Sequence, residues 1–306
     1  MQGVFEGFAT IGILIALGLL LGQLRIVDGA GQRTLSNLAF YVASPALLVT
    51  VLEDSDLGEV FSGNLVATTA AVLVAVALVT AVAVAQGRSL GTTVVAALCG
   101  GYVNAGNLGL PIAAYVLGDA ALVAPTLLLQ LLVLQPLALT LLDAAESPQR
   151  LSVWAVARRP FTNPITVGSL LGLALALSDT ELPGAVHDPL ELVAGMAVPS
   201  MLIAYGVALR LGPLPGRGVP ALDLGAIVAT KMAVQPIAAY LVGRFVLDLD
   251  AHSLLAVTVL AALPTAQNVF VIATRYDRAS LLARDAIFVS TLASVPVVLL
   301  VTALLA

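Results

Sequence analysis

Residues 100–118 read GGYVNAGNLGLPIAAYVLG, in the middle of a run that carries no charge from Arg88 to Asp119. A charge-free run of this length belongs in hydrocarbon, where a straight helical crossing needs about 20 residues. Yet Gly100, Gly101, Gly106, Gly109 and Pro111 sit at its centre, with Asn104 and Asn107 among them. Glycine costs a helix about 1 kcal/mol and an interior proline about 3 kcal/mol. The stretch is therefore read as two half-helices with an unwound centre, Pro111 opening the second half where its missing N–H is no loss. Unwound backbone is tolerated at membrane depth only when it is buried in protein or lines a wet cavity. The free N–H groups and dipole of a half-helix start favour an anion, and the amides of Asn104 and Asn107 donate or accept as needed.

A second interrupted run, LAALPTAQNVFVIATRYD, occupies residues 260–277, where Pro264 is followed by Thr265, Gln267 and Asn268. Two broken spans in matching places of two halves mark the binding site of a transporter built from inverted repeats. Glycine-rich kinks also serve tight helix packing; the amides at both breaks favour a site.

The rest of the chain has the same solvent. Of 306 residues, 60% are hydrophobic and 10% charged, with a mean hydropathy of +1.05. Soluble domains carry about 25% charged residues. Charge-free runs place ten spans near 7–24, 34–52, 65–85, 92–115, 124–142, 164–178, 191–209, 223–243, 254–274 and 286–305. The expected class is an all-α integral membrane protein of ten transmembrane helices. They form two inverted five-helix repeats, 1–142 and 164–306, joined by a cytoplasmic loop at 143–163. Pro45 and Pro199, Asn107 and Asn268, and Pro136 and Pro296 recur at matching places in the two halves.

Arginines set the orientation. Arg25, Arg33, Arg88, Arg150, Arg158, Arg159, Arg210, Arg217, Arg275, Arg278 and Arg284 all fall in alternate loops. Those loops are read as cytoplasmic and both termini as extracytoplasmic, in a multi-pass protein of the cell membrane. The acidic outer loops (Glu53 to Glu59, Asp179 to Glu191) are read as solvated surface, as are His187 and His252. The first span lacks a basic leader and is read as retained. Cys99, the single cysteine, is packing and leaves no intrachain disulfide.

Lys231 falls inside span eight, where a lysine at helix centre costs about 2.5–3.5 kcal/mol. It either snorkels to the cytoplasmic surface or works as a charge, paired with the substrate or with the end of a half-helix dipole. Gln130 and Gln135 in span five are spaced for nearly opposite faces, one toward a cavity and one toward a neighbouring helix. No Asp or Glu occupies the centre of a span, so no proton relay is evident. No enzyme signature, Cys/His cluster or nucleic-acid-binding feature is present.

Asn104-Ala-Gly-Asn-Leu-Gly-Leu-Pro111 resembles the signature of the auxin efflux carrier family, which holds plant auxin exporters and prokaryotic carriers of organic acids such as malonate. ALPTAQNVFVIATRY at 262–276 resembles that family's second crossover, and Asn163-Pro164 its sixth span. The resemblance implies a carrier for small organic anions, similar in architecture to bile-acid sodium symporters and forming a homodimer. Spans one, two, six and seven form a scaffold. Spans three to five and eight to ten move against it like an elevator. Asn104 and Asn107 match substrate-contacting positions, and Pro111, Pro264 and Asn268 match crossover positions. Gly106, Gln267 and Lys231 complete the expected substrate site, and Thr265, Gln267 and Asn268 are the oxygens available to a coupling ion. No cofactor is expected. Sodium coupling, proton coupling and uniport all fit the sequence. A sodium-coupled bile-acid-type symporter and a non-transporting membrane sensor are the alternatives.

Overall fold

The computed structural model describes residues 2–53, 63–109, 112–146, 164–178, 180 and 182–305. Among these, regular structure is helical throughout, apart from one isolated antiparallel bridge. Six helices are long and apolar enough to cross a membrane: α2 (Gly29–Glu53), α3 (Gly63–Ala85), α5 (Ala124–Glu146), α7 (Gly184–Leu211), α8 (Ala221–Phe245) and α11 (Ser280–Leu305). Shorter apolar helices accompany them: α1 (Gln2–Gln23), α4 (Leu90–Gly101), α6 (Pro164–Ser178) and α9 (Ala251–Ala261). A short α10 (Asn268–Arg275) follows α9. Large apolar side chains stay exposed along the outside, Leu73, Leu78 and Val84 on α3 and Leu292, Leu300 and Leu304 on α11 among them. An exterior of this kind suits lipid rather than water.

Prolines shape three of the long helices in one way. Ala39–Ala43 in α2, Gln130–Leu134 in α5 and Thr230–Val234 in α8 are π turns. Each lies just ahead of a proline, respectively Pro45, Pro136 and Pro236. A helical proline donates no hydrogen bond, and its ring crowds the carbonyl four residues back. That carbonyl belongs to residue 41, 132 or 232, inside the π turn in every case. The wider turn gives it room.

Packing falls into two sets of helices. In the first, α1 lies along α7 and α6 lies along α2. Glycines permit both approaches. A Cβ on Gly206 would press into the backbone carbonyl of Ile15, and one on Gly18 into that of Ile203. A Cβ on Gly168 would stand 2.6 Å from Pro45 O. In the second set, α3 packs on α4, α8 and α5, while α11 packs on α8, α9, α10 and α4. Arg88, beyond the end of α3, pairs with Asp223 at the start of α8. Gly206→Val is expected to force α1 away from α7 and to lower stability by about 1–3 kcal/mol. A thermal unfolding midpoint in detergent equal to wild type would show that the contact is not tight.

Several boundaries differ from the sequence expectation. α7 begins at Gly184 rather than at 191, so His187 is helical and not in a loop. α11 begins at Ser280 rather than at 286, taking in Arg284 and Asp285. Both are buried, although charge had assigned Arg284 to a cytoplasmic loop. The two neutralise one another, with Arg284 Nε donating to Asp285 Oδ1 at 2.7 Å. Hydropathy, read residue by residue, does not register such a pair. Most of the 143–163 connection and the acidic stretch at 54–59 lie outside the described residues.

Candidate functional site

Both broken segments meet each other at their breaks. α4 ends at Gly101, and Tyr102 turns extended with φ −90° and ψ 106°. Val103 then pairs antiparallel with Thr265. Asn104 N donates to Pro264 O at 2.8 Å, and Ala266 N donates to Tyr102 O at 3.2 Å. Pro264 ends helix α9 because it cannot donate onward, and its carbonyl is spent on the partner segment. Side chains take up backbone groups that the bridge leaves over. Val103 N donates to Gln130 Oε1 at 2.6 Å, and Thr265 N donates to Ser290 Oγ at 3.1 Å. Thr265 Oγ1 donates to Cys99 O at 2.6 Å. Unwound backbone at this depth must be satisfied in this manner.

Behind the bridge the last carbonyls of α4 and α9 come close together, each at the negative end of a helix dipole. Lys231 Nζ donates to Ala261 O at 3.0 Å and to Gln235 Oε1 at 2.7 Å. Gln235 Nε2 in turn donates to Gly101 O at 3.2 Å. One amine and one amide therefore tie both half-helix ends. Lys231 is 0% exposed, so it does not snorkel, and it lies off the wall of the central cavity. Of the readings open to it, only the pairing with a half-helix end is met by contacts.

In front of the bridge is a cavity of about 310 Å³, within the usual range for a small-ligand site. Its polar wall comes from Asn104, Asn107, Gln130, Gln135, Gln267 and Asn268, and its apolar wall chiefly from Phe40, Leu47, Val198 and Met201 of α2 and α7. Asn107 Nδ2 donates to Gln267 Oε1 at 3.5 Å, which links the two broken segments across the cavity. Asn107 N lies 3.4 Å from Asn104 Oδ1, its acceptor. Gln135 Oε1 accepts from both Tyr102 Oη at 2.8 Å and Asn268 Nδ2 at 3.0 Å. Three buried polar atoms on this wall have no hydrogen-bond partner: Asn104 Nδ2, Gln267 Nε2 and Asn268 Oδ1. An unsatisfied buried polar atom costs about 1–3 kcal/mol. Three around one cavity are groups that a polar ligand can satisfy.

Gln130 and Gln135 both face this cavity, against the expectation of opposite faces. Five residues of α-helix turn about 140° past a full turn at 3.6 residues per turn. Between these two glutamines, however, the helix is π. Hydrogen bonds from i to i+5 stack residues five apart. Pro136 imposes that turn.

The structure thus gathers Asn104, Gly106, Asn107, Gln267 and Asn268 on one cavity wall. It puts Pro264 and Thr265 in the bridge and Lys231 behind it. Pro111 lies outside the described residues. Tyr102, Ser290 and Gln235 escaped the sequence reading. For Gln235 a signal existed, since Gln235-Pro236 repeats Gln135-Pro136 at the same distance from a π turn.

Comparison with known proteins agrees in kind. A family described as "Membrane transport protein" matches residues 4–302. A protein of Rhizobium meliloti (strain 1021), named "Putative malonate transporter", is 28% identical over 292 residues, covering 93% of this chain and 90% of that protein.

Proposed function

Because this chain belongs to the membrane transport protein family, we propose that it is a secondary carrier for small organic anions, with carboxylates as its substrate class. That family is the auxin efflux carrier family that residues 104–111 resemble. The observation that carries the substrate class is the pair of unpartnered amide donors, Asn104 Nδ2 and Gln267 Nε2, on one cavity. A carboxylate accepts from both, and hydrogen bonds to a charged acceptor are the stronger kind. The relative named for malonate supports the same class.

Six long and four shorter apolar helices among the described residues support a reading of ten crossings. The pairing of α1 with α7 and of α6 with α2 supports inverted five-helix repeats at 1–142 and 164–306. If spans one and six are equivalent, and two and seven likewise, each pairing is the image of the other. The central cavity lies along the seam between a scaffold of α1, α2, α6 and α7 and the remaining helices. A rigid body carrying the crossing can slide along that seam, which is how an elevator alternates access. Both termini are extracytoplasmic in this reading, and a homodimer through the scaffold completes it.

The Lys231 amine stands where two negative helix ends meet. A fixed amine there can take the place of a coupling cation, and on this reading flux needs no sodium. Replacing sodium by an inert cation is expected to leave the initial rate unchanged; strict sodium dependence would favour the bile-acid-type symporter.

The test is counterflow in proteoliposomes with labelled malonate and other mono- and dicarboxylates. Saturable exchange is expected from wild type. Gly106 supplies a steric control, since a Cβ built on it meets no atom within 4 Å and opens onto the cavity. Gly106→Leu is expected to fold normally and abolish exchange by filling the site. No saturable exchange from folded wild type with any carboxylate would sink the carrier reading, and full exchange by Gly106→Leu would move the site elsewhere.

A further inference from the structure

A second cavity, of about 590 Å³, opens along the same seam toward the ends where the basic residues gather. On one side it is walled by Arg33 of α2 and Gly212 at the end of α7. On the other it is walled by Thr274 and Arg275 of α10 and Arg284 of α11. Phe40 lines the central cavity and its neighbour Tyr41 lines this one. Phe40 stands edge-on to Tyr276 with ring centroids 6.4 Å apart.

The site has a built core. Arg284 is 1% exposed. Its Nε donates to Asp285 Oδ1 at 2.7 Å and its Nη1 to Ala208 O at 3.4 Å. Nη2 lies 2.6 Å from the same Asp285 oxygen and has no hydrogen bond of its own. Asp285 Oδ2 is held in turn by Gly216 N at 2.8 Å. Gly212 is a notch for this guanidinium, because a Cβ there would collide with Arg284 Nη1. The buried Thr274 Oγ1 also lacks a partner. Arg275 stacks over the rings of Tyr41 and Tyr276 at 5.2 and 5.5 Å and, like Arg33, pairs with no carboxylate among the described residues. Asp277 at the rim is the remaining acid on the wall, and Asp285 is committed to Arg284. Positive charge is in excess, and donors outnumber acceptors.

We propose that this cavity is a second anion site, separate from the central one, for a phosphate or carboxylate group that bridges Arg33 on one helix set to Arg275 and Arg284 on the other. Arginine forks suit such oxyanions. An occupant that touches both sets holds them in one relative position, so it restrains the sliding on which the proposed carrier cycle depends. That consequence rests on the carrier reading; the site itself does not. The occupant is either a free anion or the headgroup of an anionic lipid.

Thermal unfolding of the purified full chain in uncharged detergent tests the site, with inorganic phosphate as probe and matched chloride as control. Phosphate is expected to raise the midpoint of wild type and of Asn107→Ala, and the rise is expected to vanish in Arg33→Gln/Arg275→Gln. Arg33→Gln alone, a change on the exposed side of α2, serves if the double variant does not fold. Malonate is expected to raise the midpoint of the arginine variant, where only the central site remains, and to lose that effect when Asn107→Ala is added to it. Its failure alone would count against the central site and leave this one standing. In nanodiscs, a midpoint raised by phosphatidylglycerol in wild type but not in the arginine variant identifies a lipid headgroup as the occupant. A phosphate response that survives in the arginine variant overturns the proposal. So does a wild type that answers to neither phosphate nor phosphatidylglycerol.

Discussion

Asn107→Ala is expected to cut saturable organic-anion flux by about 10- to 100-fold while the protein still elutes and unfolds like wild type. The figure takes the second hydrogen of Asn107 Nδ2, the one not given to Gln267, to reach the anion, and a hydrogen bond to a charged acceptor is worth about 1.5–3 kcal/mol. Asn107 is half-buried and its amide joins the two broken segments through Gln267 Oε1. Truncation removes a group from the cavity without opening the bridge behind it, which is held by backbone bonds between residues 102–104 and 264–266. Fold and flux should therefore separate. Measured counterflow at the wild-type rate would remove Asn107 from the site. A protein that aggregates would mean the asparagine is structural, and Gly106→Leu would then decide whether the cavity is the path.

The second large effect is expected at Lys231. Lys231→Met keeps the volume and removes the donor, leaving Ala261 O and Gln235 Oε1 without it. Each buried acceptor so stranded costs about 1–3 kcal/mol. Relief from burying an amine offsets part of this. Folding should survive, but both half-helix ends lose the group that aligns them, and flux is expected to fall at least about tenfold, the equivalent of 1.4 kcal/mol. Lys231→Arg is not a conservative control here, because a planar fork replaces a compact ammonium. Unaltered flux in Lys231→Met would reduce the amine to packing.

Much of this architecture was legible in the chain itself. Long apolar runs, the glycines at 100, 101, 106 and 109, and Pro264 each act through their own chemistry. Spans and breaks therefore follow from residue type and position alone. The amides at 104, 107, 267 and 268 stood out for the same reason, as polar groups where hydrocarbon surrounds the chain. Their meeting on one cavity wall is a tertiary fact, set by how α4 and α9 cross.

Elsewhere local reading failed for a definite cause. Gln130 and Gln135 share a face because Pro136 widens one turn of helix, and a period of 3.6 carried through that turn points them apart. Arg284 resembled a loop cation because its partner is the next residue and its notch, Gly212, lies on another helix. Lys231 could be weighed in sequence only as a solitary charge. Its acceptors are a carbonyl thirty residues on and a glutamine that reaches back to Gly101. Residue chemistry decides what a segment must do, to bury, to break or to bear a charge. Which groups then answer one another depends on helix phase and on the contacts between distant segments, and those exist only once the chain has packed.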